Sequence, residues 1–157
     1  MFDDLLAANR RYASKFHDSG VAGSAAKGLA VLTCIDSRID PLAMLGLVPG
    51  DAKIIRNAGA RVTDDALRSL VLAVNLLNVD RICVVQHTDC AMAKSTDQEI
   101  RAQIDASDDF EVLAMTDQPA ALRDDIERIR NSKYIPRNTE IGGFIFDVKT
   151  GELSAIV

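Results

Sequence analysis

Cysteine and histidine are scarce in this chain: three Cys and two His among 157 residues. So few cysteines, and an odd number of them, exclude a disulfide-stapled secreted scaffold. They suit a reduced compartment in which thiols stay reactive or bind metal. Basic residues are also in deficit, with 18 Lys and Arg against 23 Asp and Glu and a net charge of −5. That balance argues against a broad nucleic-acid or anionic-membrane surface, which is normally basic. No apolar run reaches the roughly 18 residues of a membrane span. The opening Met1-Phe2-Asp3-Asp4 puts acids where a signal peptide carries base. The expected location is the cytoplasm, with no membrane and no nucleic acid as partner. Internal repeats, low-complexity tracts and domain-scale linkers are missing too, so residues 1–157 read as a single domain.

What is present alternates between buried-strand and helix patterns. Residues 29–35, 52–56 and 81–87 are short apolar runs of the kind buried on both faces of a parallel sheet. Helical spacing runs through Asp3 to about Phe16, from Ala66 to about Leu77, from Ser95 to Ile104 and from Pro119 to Arg130. Gly143 to Val157 reads as a hairpin around a Gly-containing turn. The pattern predicts an α/β fold with a mostly parallel central sheet flanked by helices. The helix around Leu70 to Leu77 carries almost no polar face and is expected to be covered by a second subunit. The N-terminal helix, set off by Gly20, Gly23 and Ser24, is expected to pack on that partner.

Polar residues follow directly on three strands: Cys34-Ile35-Asp36-Ser37-Arg38, Arg56-Asn57-Ala58-Gly59 and His87-Thr88-Asp89-Cys90. In open α/β sheets ligands bind beyond the carboxyl ends of strands, where these segments gather. Cys34, His87 and Cys90 are suitable zinc ligands, His87 and Cys90 being three apart. The same residues would serve as two small buried thiols and a hydrogen-bonded core imidazole. Asp36 and Arg38, two apart, face one way in extended chain and form either an ion pair beside a site or a structural one. Arg56 either holds an anion or caps and neutralises. Gly59 either supplies positive φ or close approach, or ends an ordinary turn.

Taken together and in this order, C-x-D-S-R, R-N-A-G and H-T-x-C resemble the motifs of the β-class carbonic anhydrases, in their compact bacterial branch. The resemblance implies one Zn2+ per subunit on Cys34, His87 and Cys90, with water or hydroxide in the fourth position. Asp36 and Arg38 would form the catalytic dyad, and Arg56, Gly59 and Ala91 would border the substrate or anion pocket. The implied activity is reversible hydration of CO2 to bicarbonate and a proton through a zinc-bound hydroxide, by a homodimer or dimer of dimers. One branch of the family, which bicarbonate holds closed, has Trp three residues before the first cysteine. Here that residue is Val31, and the chain has no Trp. An open, water-ligated site near neutral pH is therefore expected.

One departure stands out. Relatives commonly place Gly after the second cysteine, where this chain has Ala91-Met92. The added Cβ bears on turnover and substrate, and keeps two alternatives in view: a COS or CS2 hydrolase, and a non-catalytic zinc or redox-sensing homologue. Cys83 is expected in the core. His17, Arg61, Lys133, Arg137 and the run Arg123-Asp124-Asp125 are expected in solvent.

Overall fold

The computed structural model describes residues 1–157. In chain order the elements are α1 (Asp3–Ala13), β1 (Leu29–Cys34), α2 (Pro41–Met44), β2 (Ala52–Asn57) and α3 (Asp64–Leu76). Then follow β3 (Arg81–His87), α4 (Asp97–Ile104), α5 (Gln118–Arg130), β4 (Glu140–Phe146) and β5 (Leu153–Ala155). The strands form one sheet in the order β2-β1-β3-β4-β5. The first four strands run parallel, and β5 closes the edge antiparallel to β4. No helix is long and apolar enough to cross a membrane.

β1 is buried at all six positions. From Leu29 to Leu32 its side chains alternate between two cores, as the two-residue period of a strand requires, and Cys34 at its end joins the side of Leu29 and Val31. Ala30 and Leu32 join Leu70, Val84, Leu122 and Ile126 beneath α3 and α5. Leu29 and Val31 join Val85, Met115 and Phe146 on the other face, together with Cys34 and Cys90. Gly143 on β4 permits the close approach of α5. A Cβ there would stand 3.1 Å from Leu122 Cγ and 2.8 Å from Val157 Cγ1.

The chain leaves β1 through α2 toward β2, then crosses back through α3 to β3 on the other side of β1. β1 and β3 therefore flank the point where the strand order reverses, which is where such sheets bind ligands. α2 is short and was not expected. Asp40 caps it by accepting from Leu42 N and Ala43 N, both at 3.1 Å, with Pro41 at its first position.

Two expectations change, the end of α1 and the solvation of Arg61 and Asp125, while the apolar flank expected on α3 is present. α1 stops at Ala13, three residues early, and buries none of its side chains. α3 buries only Ala66, Leu70 and Ala73, and within one chain Leu72 and Leu76 remain 43% and 72% exposed. Asp125 and Arg61, expected in solvent, are instead a buried pair. Asp125 falls three residues after Leu122 on the inner stripe of α5, so the helix carries it inward with Ile126 and Ile129. Its carboxylate meets Arg61 Nε at 2.6 Å and accepts from Val62 N at 3.2 Å.

Candidate metal centre

Cys34 ends β1 and His87 ends β3, two neighbouring parallel strands, so the sheet register itself sets these side chains close together. Cys90 follows three residues after His87, beyond a turn in which Asp89 takes φ 58°. The two sulfurs and a ring nitrogen of His87 all lie within 4.8 Å of one another, and all three residues are buried. His87 Nδ1 stands 2.9 Å from the carbonyl oxygen of Thr88. A carbonyl only accepts, so Nδ1 carries the proton and, in the neutral ring, Nε2 keeps its lone pair. That Nε2 is buried with no hydrogen-bond partner in the protein. A buried, unpartnered acceptor beside two thiols fits a metal ion, and sulfur with imidazole suits zinc over Mg2+ or Ca2+.

The thiols are electrostatically unequal. The neighbouring Cys90 thiol lowers the pKa of Cys34. Burial opposes this, while His87 and the backbone N–H groups of Asp36 and Gly59 support it. The Cys34 thiol in turn, with burial, pushes Cys90 up. Gly59, at φ 76°, donates its N–H to Cys34 Sγ at 3.4 Å. A Cβ on Gly59 would stand 3.1 Å from Met115 Cε and 3.3 Å from Met92, so the turn is built around a missing side chain.

Asp36 sits over this cluster. Its Oδ1 accepts from Arg38 N at 2.9 Å and Arg38 Nε at 3.0 Å, and its Oδ2 accepts from Arg38 Nη2 at 2.8 Å. Each carboxylate oxygen offers two lone pairs. Oδ1 is filled, and Oδ2 keeps one, 3.8 Å from His87 Nε2. Hydrogen bonds from Arg38 hold the Asp36 carboxyl well below the usual carboxylate range.

Arg56 clamps the backbone of the loop after β1. Its Nε donates to Cys34 O at 2.9 Å, its Nη2 to Asp36 O at 2.7 Å and its Nη1 to Ile39 O at 3.2 Å. One N–H from each nitrogen is used in this clamp, and Arg56 is not among the residues lining the cavity beside Cys34. Asn57 staples the neighbouring turn, accepting from Arg61 N at 2.9 Å and donating to Arg61 O at 2.7 Å. Gly59 and Ala91, with Cys34, Asp36, Cys90 and Met92, line a cavity of about 180 Å³. Cys83 is half-buried, and burial pushes its thiol up. His17 is exposed and far in sequence from every one of these residues.

Sequence reasoning missed Asp89, which accepts from Arg38 Nη1 at 2.9 Å and lies 2.5 Å from Lys94 Nζ. Its position between His87 and Cys90 was the available signal. It also missed Met115, whose backbone N donates to Met92 O at 2.7 Å and whose side chain packs against Gly59.

A family model described as carbonic anhydrase matches residues 29–111. The chain is 37% identical to β-carbonic anhydrase 1 of Mycobacterium tuberculosis, over 98% of this chain and 96% of that one. It is 35% identical to the carbon disulfide hydrolase of Saccharolobus solfataricus, over 80% of this chain and 75% of that one. The crystal structure of a carbonic anhydrase from Streptococcus mutans superposes with TM-score 0.90 at 35% identity, covering 99% of this chain and 97% of that one.

Proposed function

The chain belongs to the carbonic anhydrase family, in its β class, and from that premise we propose that it catalyses CO2 + H2O ⇌ HCO3− + H+ at the cavity beside Cys34. The observation that carries this reading is the convergence of two thiols and an unpartnered imidazole nitrogen beneath a carboxylate with one free lone pair. Cys34, His87 and Cys90 would hold one Zn2+ per subunit. Bound zinc supplies hydroxide at neutral pH by lowering the pKa of water.

The protein's share of the chemistry follows from its donors and acceptors. Asp36 Oδ2 accepts a hydrogen bond from the nucleophile's own proton and so turns a lone pair toward the substrate carbon. Arg38 keeps that carboxylate ionised, so it acts only as an acceptor and disfavours ligands with no proton to give. The Gly59 N–H on Cys34 Sγ draws charge from one thiolate. Ile35, Ala58, Ala91 and Met92 form the apolar wall of the cavity. A linear, uncharged molecule is at home against such a wall, and a charged bicarbonate is not, which favours product release.

A second reading, hydrolysis of CS2 or COS, draws on that apolar wall and on the carbon disulfide hydrolases among the relatives. Stopped-flow CO2 hydration measured beside sulfide release from CS2 and COS decides between them. Faster zinc-dependent turnover of CO2 supports the first reading, and turnover confined to the sulfur substrates replaces it.

We also propose a homodimer or dimer of dimers. The unburied α1 and the open flank of α3, with Leu72 and Leu76, supply the apolar surface for it. Sedimentation should give at least a dimer at micromolar concentration, and a monomer would overturn the proposal. Two thiolate ligands require reducing surroundings, which supports a cytoplasmic location.

A further inference from the structure

Arg38 is gripped along two edges, and only one of them belongs to Asp36. The outer edge faces Asp89, which accepts from Nη1 through Oδ2 at 2.9 Å and from Nη2 through its backbone carbonyl at 3.2 Å. Asp89 lies on the loop after β3, between two of the metal-ligand candidates, whereas Asp36 lies on the loop after β1. One guanidinium therefore ties the two halves of the site together. Asp89 holds this place in the left-handed region, at φ 58°, where Asp and Asn are better tolerated than most residues. Lys94 Nζ, 2.5 Å from Asp89 Oδ1, offsets the charge of a second carboxylate on one arginine.

The guanidinium is a rigid plane. Fixing its outer edge therefore fixes the direction of the inner edge that holds Asp36. Asp36 also has somewhere else to go, because its Oδ2 stands 3.8 Å from His87 Nε2. A carboxylate released by Arg38 is within reach of the ligand cluster. Arg38 and Asp89 are 43% and 41% exposed, so their pairing contributes little as an isolated surface ion pair. Its effect comes from orienting a plane that has a second task.

We propose that Asp89 is a positioning residue for the Asp36–Arg38 dyad: by holding the outer edge of Arg38 it keeps Asp36 on Arg38 and off the metal ligands. This inference rests on the function proposed above. The test uses the full chain with Asp89→Asn, which tolerates the same φ and loses the charge, and with Asp89→Gly, which takes that φ freely and removes the side chain. Zinc content, thermal midpoint, kcat and KM for CO2 are measured for each. The absorption spectrum of the Co2+-substituted protein is also titrated with azide. Both variants should keep one zinc per chain and a midpoint within about 2 °C of wild type, less than a 1 kcal/mol change gives at this size. Their kcat should fall about tenfold, with KM changed less, as misplacement of a reacting group does. The spectral response to azide should shrink as Asp36 competes for the metal. Wild-type kcat and azide response in either variant would overturn the proposal. Loss of zinc with unfolding in both would overturn it too, by assigning Asp89 to folding. If the wild-type chain itself shows no zinc-dependent CO2 turnover, the proposed function fails instead.

Discussion

Arg61 and Asp125 form a pair 64 residues apart in sequence, with Nε 2.6 Å from Oδ2 and side chains only 12% and 5% exposed. Arg61 also donates to Leu113 O at 2.7 Å, and Asp125 receives Val62 N. The pair thus binds the turn around Gly59 to α5 and to the loop that carries Met115. Asp125→Ala leaves a buried guanidinium unpaired, a loss of about 3–5 kcal/mol. At about 2–4 °C per kcal/mol for a chain of this size, the thermal midpoint should fall by more than about 6 °C. Calorimetry of Asp125→Ala beside an Arg61→Leu/Asp125→Leu double variant checks this, the double variant being the milder. Equal stability of Asp125→Ala and wild type would show that the pair does not hold the turn.

Gly59 makes a sharper local prediction. Gly59→Ala places a methyl at φ 76°, 3.1 Å from Met115 Cε. The left-handed conformation alone costs about 1–2 kcal/mol for a residue with a Cβ. Urea unfolding should register that loss. CO2 hydration should drop several-fold, because the turn that donates to Cys34 must shift. An unchanged urea midpoint would mean the turn relaxes freely.

The strands and the ends that carry the site were legible in the sequence, because an apolar run followed at once by Cys, Asp and Arg, or by His and Cys, marks where a buried strand meets a cleft. What stayed hidden depends on partners with no sequence signature. Arg56 gives three of its five N–H donors to the carbonyls of Cys34, Asp36 and Ile39, and any residue has a carbonyl. Asp125 sits in a charge run that reads as solvated, and only the orientation of α5 carries it inward. Asp89 occupied the variable place of its motif, and its contact with Arg38 spans two loops brought together by the sheet. Residue type and strand-end position already grouped Cys34, His87 and Cys90 as ligand candidates, the family resemblance favoured that reading over buried thiols, and the register of β1 against β3 gives its physical reason.

Acid stability has a separate handle in α4. Glu99 closes a capping box: its carboxylate accepts from Thr96 N at 2.8 Å, and Thr96 Oγ1 accepts from Glu99 N at 3.2 Å. These bonds hold the Glu99 carboxyl below its ordinary value of 4.5. A folded value below the unfolded one means the stabilisation is present above the unfolded value and is lost as pH falls through the folded one. The stability difference between wild type and Glu99→Gln should therefore be largest at neutral pH and shrink once the pH drops below that value. A difference independent of pH would remove the carboxylate from the cap.

Metal removal bears on the centre most directly. The protein should carry one zinc per chain and accelerate CO2 hydration in a stopped-flow indicator assay. It should lose both zinc and rate on chelation and recover both when zinc is restored, while Cys90→Ser should neither retain zinc nor recover. A chain that holds no zinc, or whose CO2 hydration is the same before and after chelation, would contradict the assignment of Cys34, His87 and Cys90 to a catalytic metal.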